Sequence, residues 1–157
     1  MLRSQLLDQL GGLYFIRKSE GDCARAIQAF ETAIALAPNA DAVLNNYAFL
    51  LNECEKDPKK GIPFARRAVQ MQPSRAEYLD TLAVLLIASG EVDEAITVLG
   101  RASGLRPSAT ASLHLAQAYE IKGKRDDART SLNSARNLNP DAETSAAIEE
   151  LSRKLGS

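Results

Sequence analysis

The chain contains no tryptophan, two cysteines and one histidine, and only 5 % of its residues are aromatic. With so few rings, a core has to be assembled mostly from Leu, Ala, Ile and Val. Cys23 and Cys54 fit no metal-binding spacing. They read as small buried or edge residues, and a disulfide between them requires two neighbouring turns to bring them together. His114 has no Cys or carboxylate motif beside it and reads as a surface or groove residue. A single histidine without a Ser–His arrangement gives triad-type catalysis no support. The glycine pair in "LGGLY" follows no strand and precedes no Lys-Ser/Thr, so it is not a phosphate loop. These absences predict a protein that is not an enzyme and that uses no cofactor and no metal.

Charge of one sign is also lacking. There are 19 basic and 20 acidic residues, for a net charge of −1. Nucleic-acid binders carry a basic stripe, and an electrostatic membrane patch needs the same excess. No apolar run approaches the ~18 residues of a membrane span. The N-terminus lacks the apolar block of a signal peptide, but Met1 leads almost directly into a repeat. The expectation is a piece of a longer protein, which leaves a cytoplasmic or periplasmic compartment open. A length of 157 residues suits one domain or one array, and 45 % hydrophobic content suffices for a stacked core.

What is present is a repeat. The segments "GDCARAIQAFETAIALAP" (21–38), "GEVDEAITVLGRASGLRP" (90–107) and "GKRDDARTSLNSARNLNP" (123–140) share one frame, and "KDPKKGIPFARRAVQMQP" (56–73) shares it with Lys56 in place of Gly. The closing prolines Pro38, Pro73, Pro107 and Pro140 are 35, 34 and 33 residues apart. A period near 34 over most of the chain points to a repeat architecture. Within each frame, three residues stand at i, i+4 and i+7, the outer two small and the middle one large in every copy but the second. They are Ala26, Phe30 and Ala33; Gly61, Ala65 and Ala68; Ala95, Leu99 and Ala102; and Ala128, Leu132 and Ala135. That spacing is one helical face, and its small residues admit a close neighbour. Gly opens the turn and Pro ends the helix. "DPKK" reads as a charged turn, and Pro63 predicts that the helix of the second frame starts late, near Lys60 to Ile62, or bends.

A second helical pattern precedes each turn, carried by Leu44, Tyr47, Ala48 and Leu51, by Leu79, Leu82, Ala83 and Leu86, and by Leu115, Ala116 and Tyr119. In the first copy Leu10, Gly11 and Tyr14 fit, although Tyr14 lies seven residues before Gly21; otherwise Leu13 holds the slot. The C-terminal "DAETSAAIEELSRKLGS" predicts one capping helix with Ala146, Ile148, Leu151 and Leu155 on its apolar face and a Glu149–Arg153 pair at i, i+4.

The unit of helix, turn and helix resembles the tetratricopeptide repeat, whose L-G-x2-Y, A-x3-F-x2-A and P positions these residues occupy. A narrower likeness is to the terminal repeats of large bacterial tetratricopeptide proteins, some of which accompany exopolysaccharide-export and exosortase systems. The resemblance implies an all-α, right-handed solenoid of four repeats (about 4–39, 40–74, 75–108 and 109–140) plus a capping helix (about 141–155), forming one domain. It implies a concave groove lined by first helices, and a non-catalytic role in binding a peptide or helix of a partner protein. The alternatives are a structural or self-associating segment of a longer array, or an accessory domain of a larger enzyme. The implied groove residues are Asn45, Asn46, Phe49 and Asn52 in the second repeat, Asp80, Thr81, Val84 and Ile87 in the third, and His114 and Gln117, with Leu113 and Glu120, in the fourth. Phe49, Val84 and Ile87 would form an apolar strip suited to an amphipathic or extended segment. Relatives that clamp a C-terminal carboxylate use Lys and Arg in such slots; none stands here.

Overall fold

A computed structural model describes residues 2–17 and 19–156. The described residues form nine α-helices and no strand: α1 (Leu2–Arg17), α2 (Asp22–Leu36), α3 (Asp41–Glu55), α4 (Pro58–Met71), α5 (Ala76–Ser89), α6 (Val92–Leu105), α7 (Ala109–Ile121), α8 (Arg125–Arg136) and α9 (Ala142–Leu155). The chain divides into two compact units, Met1–Pro73 and Ser74–Ser157. In the first, α1 packs on α2 and α3 on α4, while α3 also meets α1 and α2. In the second, α5 packs on α6 and α7 on α8; α7 also meets α5 and α6, and α9 lies on α7 and α8.

The small–large–small face explains the pairing. All twelve of its residues are buried. Opposite them, Gly11, Ala48, Ala83 and Ala116 are buried on the first helices. Gly11 needs to be glycine: a Cβ there would stand 2.6 Å from the Phe30 ring. Tyr14 packs into the cluster of Phe30, Ala26 and Ala33, whereas Leu13 is exposed. The L-G-x2-Y frame therefore holds in α1, and the additional residues before Gly21 fall in the connection after Arg17.

Three turns use a left-handed glycine, with φ of 75° at Gly21, 88° at Gly90 and 71° at Gly123. Lys56 takes the same conformation at φ 54°, which costs a residue with a Cβ ~1–2 kcal/mol. Lys56→Gly should raise the stability by ~0.5–1 kcal/mol, part of the relief being offset by the freer unfolded chain. Gly90→Ala should lower it by ~1 kcal/mol or more; no atom lies within 4 Å of the added Cβ, so the loss is conformational. Chemical denaturation midpoints that move the other way would contradict the turn assignment.

Three expectations need correction. First, α4 begins at Pro58, earlier than the Lys60 to Ile62 start expected from Pro63. Asp57 caps it by accepting the Lys60 N–H at 3.2 Å, and Pro58 at the first helical position loses nothing because that N–H has no partner in a helix. "DPKK" is thus a helix start, and Pro63 sits inside the helix with its ring exposed. Second, Cys23 and Cys54 are disulfide-bonded, with Cα atoms 5.5 Å apart, within the span a disulfide bridges. Packing of α2 on α3 brings the start of one helix to the end of the other. Third, the capping helix buries Thr144, Ile148, Leu151, Ser152 and Leu155, and Ala146 is exposed. Glu149 pairs with Arg136 of α8 at 3.2 Å, and Ile148, Leu151 and Leu155 close the cluster of Ala128, Leu132 and Ala135.

Beside the disulfide, the Asp22 carboxylate is buried. It accepts from Arg17 at 2.8 and 2.5 Å, from Arg25 at 3.1 Å and from the Ser19 backbone N–H at 2.9 Å. The Arg17 hydrogen bonds foremost hold its pKa far below the usual carboxylate range. The Asp141 carboxyl, capping α9 through the Thr144 N–H at 2.7 Å, is lowered in the same sense. Carboxylates with a lowered folded-state pKa contribute stability that is complete above the unfolded pKa and lost as pH falls. Stability should therefore decline below about pH 4, and Asp22→Asn should flatten that decline in melting curves taken across the acid range.

Candidate functional site

The residues implied to face a partner lie on three first helices, α3 in the first unit and α5 and α7 in the second. On α3, Asn45 is buried rather than lining a surface, and its Oδ1 has no hydrogen-bond partner. Its neighbour Asn46 is exposed and donates from Nδ2 to Asp8 of α1 at 3.0 Å. Phe49 is exposed, with its ring edge-on to Phe15 of α1 at 5.8 Å between centroids. Asn52 is partly buried and donates to Glu53 at 2.9 Å. The α3 set thus meets α1: an amide–carboxylate contact and an aromatic pair tie the two first helices together.

In the second unit Asp80, Thr81, Val84 and Ile87 of α5 and His114 and Gln117 of α7 are all partly buried. Packing of α5 on α7 brings them to one side. His114 Nδ1 lies 2.8 Å from Asp80 Oδ1, a pair 34 residues apart in sequence and therefore in register with the repeat. The histidine is oriented by a carboxylate from the neighbouring repeat, an interaction that a search for local motifs cannot find. Thr81 Oγ1 is turned to the Glu77 carbonyl at 3.1 Å. Leu113 does not belong to this face: it is buried in the cluster under α9.

Two clefts open on this side. One of about 390 Å³ is lined by Asp80, Thr81, Glu77, Arg106 and Ser108, with an Arg106–Glu77 ion pair at its edge. The other, of about 420 Å³, joins Ile87, Gln117 and Glu120 to Ile121 and to Glu150, Leu151 and Lys154 of the capping helix. Its lining combines the apolar Ile87, Ile121, Ala147 and Leu151 with an amide, two acids and a base. Lys154 pairs with Glu120 at 2.9 Å. The contribution of α9 was not anticipated. The signal was present, since Ala147, Glu150, Leu151 and Lys154 recur at i, i+3, i+4 and i+7, one face beside the face buried on α8.

Among the described residues no helix is long and apolar enough to cross a membrane. A search of curated proteins finds no match to the sequence. The fold is shared with solved structures. A thermophilic TPR protein of Thermus thermophilus superposes with a TM-score of 0.85 at 22 % identity, covering 98 % of this chain and 83 % of that one. A structure of MamA (MSR-1) gives 0.72 at 25 % identity, over 87 % and 76 %. YrrB, described as a TPR protein with an unusual peptide-binding site, gives 0.74 at 22 % identity, over 89 % and 71 %. Residues 81–143 match the family model named Tetratricopeptide repeat. Residues 81–143 are therefore similar to the tetratricopeptide repeat, and the described residues as a whole, helix pairs followed by the single helix α9, share the all-α fold of solved tetratricopeptide repeat proteins.

Proposed function

We propose that this chain is a non-catalytic protein-interaction module that holds a peptide or helix of a partner on the α5–α7 side of the second unit. The observation that carries the reading is the 420 Å³ cleft, where Ile87, Ile121 and Leu151 offer apolar contact and Gln117, Glu120, Glu150 and Lys154 offer polar ends within the same opening. Apolar anchors supply affinity, while rim amides and charges satisfy a partner's backbone and fix its register. The repeat fold supports an interaction scaffold, and YrrB supports a peptide as the class of ligand. Val84, one turn before Ile87, extends the apolar contact along α5. Asp80 and His114, held against each other, form a fixed polar shoulder beside it. Asn46 and Phe49, with the partly buried Asn52, give the first unit a separate surface on α3, beneath which Asn45 is buried.

The test is a selection of random displayed peptides on the intact chain, followed by rescreening on variants. Val84→Asp with Ile87→Asp should abolish binding of the selected peptides, because an unpaired carboxylate at an apolar contact is costly. The variant should keep its helical circular-dichroism signal. A charge reversal on the exposed Arg101 of α6 should leave binding unchanged. Peptides that bind the double variant as well as the parent would place the docking surface elsewhere.

A further inference from the structure

We propose that the occupant of the α5–α7 side of the second unit is basic: a segment of a partner protein in which Lys or Arg side chains flank an apolar residue. This rests on the reading of that side as the docking surface and adds the chemistry of what docks there. The two clefts are lined by four acids, Glu77, Asp80, Glu120 and Glu150, and by two bases, Arg106 and Lys154. Residues 74–157 carry twelve acids and ten bases, with His114 neutral. Setting the cleft residues aside leaves eight of each. The whole acid surplus of this unit therefore lies in its two clefts.

The acids also lie deeper than the bases. The side chains of Asp80 and Glu120 are each 22 % exposed, against 73 % for Arg106 and 65 % for Lys154. A carboxylate partly withdrawn from water beside apolar walls is screened less than an ammonium or guanidinium that stands in solvent. Glu150 is exposed, and it belongs to none of the ion pairs among the described residues. An arriving side chain thus meets a negative field.

The chain's own side chains show which chemistry fits. Lys154 lines the 420 Å³ cleft with its ammonium on Glu120 at 2.9 Å, one helical turn after Glu150. A second base entering the opening would meet Glu150. Ile121, 54 % exposed, and Leu151 offer surface for the aliphatic stem of a Lys or Arg, while Ile87 and Ala147 take a neighbouring apolar residue. An acidic side chain would find both cleft bases already engaged. Along α5, Asp80 and Ile87 are seven residues apart, or ~10 Å at the helical rise. One segment reaching both clefts needs two bases about that distance apart.

Random displayed peptides selected on the intact chain at low salt test this. Lys and Arg together should be enriched at least ~3-fold over the unselected pool, because charge complementarity sets specificity. Synthetic copies of the selected peptides should lose ~5–10-fold in affinity between about 20 and 500 mM NaCl. Glu120→Gln with Glu150→Gln should weaken them by a similar factor, whereas Lys154→Gln, which deepens the surplus, should strengthen them ~3-fold. Asp126→Asn with Asp127→Asn removes the same charge from the exposed first turn of α8 and should change nothing. If the double Gln variant loses its helical signal, Glu150→Gln alone takes its place and should weaken binding ~3-fold. A selection that yields no binding peptide, peptides without Lys and Arg enrichment, or full affinity for the folded Gln variant would overturn the proposal. Where such peptides still fail to bind Val84→Asp with Ile87→Asp, the docking surface stands and only the basic occupant falls. Indifference to Val84→Asp with Ile87→Asp would remove the docking surface, and the proposal with it.

Discussion

Reduction of the Cys23–Cys54 bond is expected to lower the stability of the first unit by ~3–4 kcal/mol. The bond joins residues 31 apart, and opening a loop of that size returns to the unfolded chain a conformational entropy equivalent to this amount at room temperature. The folded state loses little. Helices α2 and α3 still share the cluster of Phe30, Ala33, Val43, Tyr47 and Leu50, so the reduced protein should fold, with its deficit arising mainly from the denatured ensemble. A reductant should lower the thermal midpoint of wild type. Cys23→Ser with Cys54→Ser should melt near the reduced wild type and ignore the reductant. Amide exchange should speed up in α2 and α3 while α6 and α8, which carry no cysteine, change least. A wild-type midpoint indifferent to reductant would mean that the two thiols are not bonded in solution.

That bond was the least legible part of the fold, and the reason is physical. The small–large–small face, the turn glycines and the closing prolines are local signals: each depends on residues within one turn or one helix, and four copies reinforce one another. Cys23 and Cys54 lie in different repeats, and nothing in their local sequence encodes their meeting. It follows from α2 lying on α3, which places the first turn of one beside the last turn of the other. The same holds for His114 and Asp80, joined at one full repeat period. Once the repeat is known, positions 34 apart are neighbours by construction, so such pairs can be found by comparing repeats and not by scanning windows. The start of α4 was legible and misread: Asp57-Pro58 is an N-cap followed by a first-turn proline, a stronger signal than the interior Pro63 that outweighed it. The α9 wall of the 420 Å³ cleft was half-legible. The apolar face of the cap stands out in the sequence, while nothing in the adjacent face with Glu150 and Lys154 distinguishes it from ordinary solvated charge.

Ala102→Leu is expected to destabilise the second unit by ~1–3 kcal/mol, the cost of forcing extra methylenes into a filled contact. Ala102 has no exposed surface and stands with Ala95 and Leu99 on the face that α6 turns inward, on a helix that meets both α5 and α7. Three added heavy atoms can be accepted only if α6 moves away, which would strip cover from Leu99, also fully buried. Ala68→Leu should behave alike in α4, whose partner is α3. Two controls separate packing from composition. Ala35 is exposed in α2, so Ala35→Leu adds the same atoms to the same kind of helix and should stay within ~0.5 kcal/mol of wild type. Gly100 lies two residues before Ala102 in α6, with no atom within 4 Å of an added Cβ. Gly100→Ala should raise stability by ~0.5–1 kcal/mol through helix propensity alone. Opposite signs two residues apart on one helix are what a repeat built on close small-residue contacts requires. Denaturation midpoints unmoved in both Ala102→Leu and Ala68→Leu would show those faces to be open, and the stacking of helix pairs would need another basis.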